Sequence, residues 1–299
     1  MMVAPLISNL EGIEYINVQP EIENLGILAR LGVLSRTDAA AMIRTNINHA
    51  SYERIIGRHL NTRPSDRLGL SRALQGHAIQ SRSEIEDTAA AVAAYRCAGS
   101  VPCFFTHDSL PNIAVFLEAH PGLLFVHVTR HPVDAAMSFY LRGWGDRHGT
   151  DPLNVSPAVD SPFGPVPWWA ADWAEEFNDL SPFVRALRGT LTIHELYEKT
   201  IEALPPETGK RVLTVRFENF LIRPMDELRR IATFSGASIP VGIEALFELL
   251  NLPNTIDLAA RQRKSETLLR DAPPDLAEFL ECQVSRYELS ETVGFHDER

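Results

Sequence analysis

The stretch Leu123–Tyr140, LLFVHVTRHPVDAAMSFY, constrains the fold more than any other part of the chain. Six of the seven residues 123–129 are apolar, β-branched or aromatic and form a strand pattern that ends in Arg130. Pro132 then stands where the first position of a helix tolerates a residue without an N–H, and the apolar spacing changes to helical periodicity through Leu141. A strand that passes straight into a helix is half of a βαβ unit.

The same alternation recurs. Ile13–Val18 and Val101–Thr106 read as strands, Pro111–Ala119 as a short helix, Arg211–Phe217 as a strand and Pro224–Phe234 as a helix. The pattern predicts an α/β protein, with a parallel sheet flanked by helices and with helical insertions, forming a single domain over residues 1–299. Met1–Leu10 reads as a helix, and residues 22–99 are mostly helical in pattern, with a run from Ser83 to Ala98 closed by Gly99. Gly143–Pro167 has no regular pattern and is expected to be a lid or acceptor-binding segment. Helices are expected over Pro167–Leu187 and Leu191–Leu204, with Trp169 and Trp173 four apart on a core-facing side.

Charge narrows the function. A formal net charge of -11 argues against a general nucleic-acid binder, whose affinity rests on clustered Lys and Arg. A small phosphorylated ligand needs only local cations and helix N-termini. No run reaches the length of a membrane-spanning helix and no basic region leads into an apolar one, so a cytoplasmic protein without a membrane partner is expected. Cys97, Cys103 and Cys282 lack metal-type spacing and cannot all pair. His107, His120, His127 and His131 lie across strand and helix boundaries with no cysteine among them, so no metal site is expected.

Arg130 offers a planar fork of donors at the end of a strand, the start of the next helix adds free N–H groups, and Ser138 adds a hydroxyl. Together these make a candidate anion pocket. The alternative is a well-capped strand-to-helix turn with Arg130 paired to an acid. The segment R-x-P-x-D followed four residues later by Ser and an aromatic pair resembles the 3′-phosphate motif of sulfotransferases that use 3′-phosphoadenosine 5′-phosphosulfate. The resemblance implies that Arg130 and Ser138 hold the 3′-phosphate. Residues 212–236, VLTVRFENFLIRPMDELRRIATFSG, resemble that family's later strand and helix, which implies Phe217 near the adenine. Arg261-Gln262-Arg263-Lys264 resembles its late basic segment, which implies Arg263 and Lys264 as nucleotide contacts; a solvated basic face is the other reading.

Phe105-Thr106-His107-Asp108 follows a strand directly. A histidine there can take a proton from an acceptor hydroxyl, and many sulfotransferases have a Thr-His pair at the corresponding point. The lysine that precedes that pair in the family is Phe105 here. A structural histidine satisfied by backbone is the alternative. Another branch uses a glutamate after its first helix; Gln19-Pro20-Glu21 makes Glu21 the second candidate base. The family's Gly-rich 5′-phosphosulfate loop has no counterpart in the sequence. The resemblance therefore implies a P-loop-like layout whose first strand and loop are missing, with the chain starting just downstream of them.

The implied activity is sulfuryl transfer from 3′-phosphoadenosine 5′-phosphosulfate to the hydroxyl or amine of a small-molecule, carbohydrate or peptide acceptor. Homo-oligomerisation is left open. Two rival readings are a non-catalytic nucleotide-binding or interaction protein of the same descent and another P-loop-type transferase such as a kinase.

Overall fold

A computed structural model describes residues 3–148, 151, 153–154 and 156–294. In chain order its elements are α1 (Val3–Ile7), β1 (Asn17–Val18), α2 (Pro20–Arg30), α3 (Arg36–Ile55), α4 (Gly76–Ser83), α5 (Thr88–Ala98), β2 (Phe104–Phe105), α6 (Ile113–Ala119), β3 (Phe125–Thr129), α7 (Pro132–Leu141), β4 (Ala158–Ser161) and β5 (Gly164–Pro167). There follow α8 (Ala174–Phe177), α9 (Pro182–Glu202), α10 (Pro206–Gly209), β6 (Val212–Arg216), α11 (Phe217–Ile222), α12 (Pro224–Ser235), α13 (Ala245–Leu249), α14 (Leu258–Asp271) and α15 (Pro274–Gly294). The protein is mixed α/β with small sheets. Its contacts divide it into two compact units, each built from two chain segments: residues 1–127 with 210–255, and residues 128–209 with 256–299.

In the first unit β1 and β2 run parallel, with Asn17 opposite Phe104 and Val18 opposite Phe105. The pairing extends backwards through a parallel bridge between Ile13 and Val101, with the Glu14 N–H donating to the Val101 carbonyl at 2.8 Å and the Asn17 N–H to Cys103 at 2.9 Å. The two expected strands thus pair from Ile13 and Val101 to Val18 and Phe105, with only two residues of each in regular ladder. β3 pairs with β6, and the Phe125 N–H donates to the Arg211 carbonyl at 2.8 Å. Among the described residues no ladder joins β2 to β3.

Side chains alternate across these strands. Cys103 and Val126 pack against one core, built from Leu6, Leu10, Val215, Phe220, Leu228 and Ile231. Phe104 and Phe125 pack against another, built from Ile22, Leu25, Ile43, Val115 and Phe116. Helices therefore cover both sides of the strands, which is how a short parallel sheet is sheltered from water. Behind β1, Glu14 accepts two bonds from the Arg82 guanidinium, at 2.7 and 3.2 Å, and both side chains are nearly buried.

The second unit is a helical bundle. Val133 and Ala136 of α7, Leu187 and Leu191 of α9, Leu268 of α14 and Leu280 of α15 share its core. α7 spans the predicted Pro132–Leu141. α9 runs unbroken through Gly189, where a helix break was expected; an ideal Cβ there would lie 2.6 Å from the Trp169 ring, so the glycine admits a neighbouring indole instead of ending the helix. Trp169 and Trp173 are buried as expected, on a 3-10 segment (Trp168–Trp173). Part of the unpatterned Gly143–Pro167 stretch forms an antiparallel hairpin of β4 and β5, with Ser161 opposite Gly164; residues 149–150, 152 and 155 of that stretch lie outside the described set. The Ser83–Ala98 helix is interrupted: α4 ends at Ser83, and α5 starts at Thr88 on an Asp87 cap whose side chain accepts the Ala89 N–H.

Candidate functional site

His107 leaves the carboxyl end of β2, and α2 begins just after the carboxyl end of the neighbouring parallel strand β1. Ligands of open α/β sheets bind at that end. α2 buries Ile22, Glu23, Leu25, Gly26 and Ile27 and leaves Glu21 exposed. Glu21 and Glu23 differ by two positions, about 200° around a helix, so only one can face inward.

The inward residue is Glu23, 3% exposed. One of its carboxylate oxygens accepts the backbone N–H of His107, in a short bond, and that of Asp108 at 3.3 Å. The other stands 3.6 Å from His107 Nδ1. Phe105 meets the imidazole edge to face at 4.9 Å. The His107 side chain is 49% exposed, so it reaches solvent while its backbone is tied down. The Glu23 carboxylate raises the His107 pKa above the ordinary histidine value, against a smaller opposing effect of desolvation.

Gly26 explains how α2 comes so near. An ideal Cβ at that position would lie 2.8 Å from a Phe116 ring carbon and 3.0 Å from Asn112 Cβ. With glycine there, α2 sits close against the 3-10 turn Leu110–Asn112 and α6, the segment that follows His107. The sequence signal for Glu23 is a single acid inside the apolar stripe I-E-N-L-G-I; distance from Pro20 along the chain points to Glu21, whereas the buried helix face selects Glu23.

In the second unit, Arg130 is half-buried between β3 and α7, and Ser138 is half-buried on α7. Asp134, in the first turn of α7, is 8% exposed and lies one turn before Ser138 on the same face. It accepts Lys264 Nζ at 2.6 Å and Arg261 Nε at 2.7 Å, both from α14. Burial alone would raise the Asp134 pKa, but these two bonds and the charges behind them outweigh it and hold the carboxyl below the ordinary aspartate value. Two cationic side chains of α14, Arg261 and Lys264, thus meet the Asp134 carboxylate of α7. Arg263 is exposed on α14. His131 has a packing role: it is buried, with Nε2 3.6 Å from a Glu288 carboxylate oxygen and its ring against Tyr287 on α15.

Phe217 opens α11 after β6 and packs, partly buried, against the first unit's core. Among the described residues no group of three or more His, Cys, Asp or Glu is arranged to hold a metal ion, and no helix is long and apolar enough to cross a membrane. Searches of protein-family models, curated proteins and solved structures return no match to this chain.

Proposed function

We propose that the protein binds the 3′-phosphate of 3′-phosphoadenosine 5′-phosphosulfate and takes part in sulfuryl transfer to a hydroxyl or amine acceptor. The observation that carries this reading is the Asp134 junction, where one buried carboxylate fastens Arg261 and Lys264 of the late basic segment to the R-x-P-x-D helix. Those two segments lie more than a hundred residues apart, and the sulfotransferase reading requires both to serve one anion. Arg130 supplies the forked donor, Ser138 a hydroxyl on the Asp134 face, and the α7 N-terminus its free N–H groups.

The parallel pair β1–β2, with both of its faces covered by helices and His107 at its carboxyl end, supports a P-loop-like layout. Among the described residues no ladder joins β2 to β3, which is where this reading puts the family's first strand. In the reaction, His107 Nε2 accepts the acceptor's proton. A bond forms between the acceptor oxygen or nitrogen and sulfur, and the bond from sulfur to the bridging oxygen of the phosphosulfate breaks. Adenosine 3′,5′-bisphosphate leaves with the electron pair.

Competitive titration with adenosine 3′,5′-bisphosphate and ATP tests the reading. Preference for the bisphosphate supports it; preference for ATP would replace it with a kinase-type transferase. A second reading, nucleotide binding without transfer, is favoured by the lack of a Gly-rich phosphate loop in the sequence. Bisphosphate binding without any sulfuryl transfer is the result that would select it.

A further inference from the structure

We infer that Glu23 is the positioning residue of His107: it fixes the turn that carries the histidine and faces its Nδ1, so that the ring is held by one edge. The inference rests on the reading of His107 as the base, and its geometry lies wholly within the first unit. One carboxylate oxygen takes the N–H groups of His107 and Asp108 and so clamps the backbone as it leaves β2. The other oxygen is 3.6 Å from Nδ1, close enough to favour a proton there and to stabilise the imidazolium that forms when Nε2 takes a second one.

Burial makes the arrangement stiff. Glu23 is 3% exposed, and the close approach at Gly26 holds its helix against the segment that follows His107. The remaining charged group next to the histidine in sequence is Asp108, which is buried and reinforces the same direction of shift. A carboxylate that only capped the turn would need one oxygen for the two N–H groups; the second oxygen, turned toward the ring, is what distinguishes positioning from capping.

Glu23→Gln separates the two roles, because the amide oxygen still accepts both backbone N–H groups while the charge facing Nδ1 is gone. The measurement is an NMR titration of the His107 imidazole, assigned by loss of its signal in His107→Ala. In the parent protein the midpoint should lie above the ordinary value of about 6.5, and in Glu23→Gln it should move to lower pH. The acid limb of the transfer rate should move the same way, and turnover should fall roughly ten-fold or more with donor KM little changed, a smaller loss than removal of the base itself. A parent midpoint at or below about 6.5 overturns the inference whether or not Glu23→Gln folds. So does an unchanged midpoint in Glu23→Gln. The titration reads the Glu23–His107 relation whether or not the protein transfers sulfate. A shifted midpoint without transfer therefore sinks only the functional reading, and transfer with an unshifted midpoint sinks only the role of Glu23.

Discussion

Asp134 and Lys264 meet at 2.6 Å although 130 positions separate them, and this contact joins the first turn of α7 to α14. Arg261 completes the junction on the other carboxylate oxygen. The same pair of bonds that supports an anion site also contributes to the stability of the bundle, so the two roles must be measured apart.

Asp134→Asn should destabilise the protein by about 1–2 kcal/mol. That is less than the ~3–5 kcal/mol of a fully buried pair, because Lys264 remains 36% exposed and is screened by water. Since the folded-state pKa of Asp134 is lowered, its contribution is present above the unfolded value of about 3.9 and is lost as pH falls through the folded value. Urea unfolding at pH 6 and pH 3 should show a smaller gap between the parent and the variant at the lower pH. A gap as large at pH 3 as at pH 6 would place the effect outside the ion pair.

Arg130→Ala should weaken adenosine 3′,5′-bisphosphate by about 1.5–3 kcal/mol, the scale of one charge-assisted contact, and Ser138→Ala by less. Calorimetric titration reads both. Equal affinity in Arg130→Ala and the parent would remove the 3′-phosphate assignment.

His107→Ala should lower sulfuryl transfer by about 10²-fold or more while leaving bisphosphate affinity nearly intact. If turnover survives, the base must be sought elsewhere, and the exposed Glu21 at the start of α2 is the next residue to replace. The raised His107 pKa also has a stability consequence. The Glu23–His107 interaction contributes fully below the unfolded histidine value of about 6.5 and fades as pH rises through the folded value. Its size is small because the imidazole is half-exposed.

Arg82→Ala should cost about 3–5 kcal/mol, because it leaves the Glu14 carboxylate buried without its bidentate partner. The paired replacement Glu14→Leu with Arg82→Met should recover much of that loss. Chemical denaturation of the parent and the two variants checks this; a single variant no worse than the double would show that water already reaches the pair.

β2 and β3 each have a ladder partner on one side only among the described residues, and β3 contains no fully buried residue. Unpaired strand edges recruit other strands. Light scattering should detect self-association that grows with concentration, and Val128→Lys, on an exposed part of β3, should suppress it. A parent protein that stays monomeric up to roughly 100 µM, within the range where such edges aggregate, would show that the edges are already covered.

The sequence by itself determined the elements whose signals are local. Pro132 at a helix start and the apolar spacing behind it specify α7, Pro224 and the periodicity behind it specify α12, and the β-branched run 123–129 specifies β3, because propensity, capping and periodicity act within a few residues. Tertiary structure decided the rest. It chose Glu23 over Glu21, since which helix face turns inward depends on what α2 packs against, and here that is Phe116 and Asn112 across Gly26. It carried α9 through Gly189, where the cost of glycine in a helix is offset by the Trp169 ring that fills the space. Tertiary packing also gave Asp134 two partners from α14, a choice invisible to spacing because it arises when distant helices bury a common face and a carboxylate inside it requires cations.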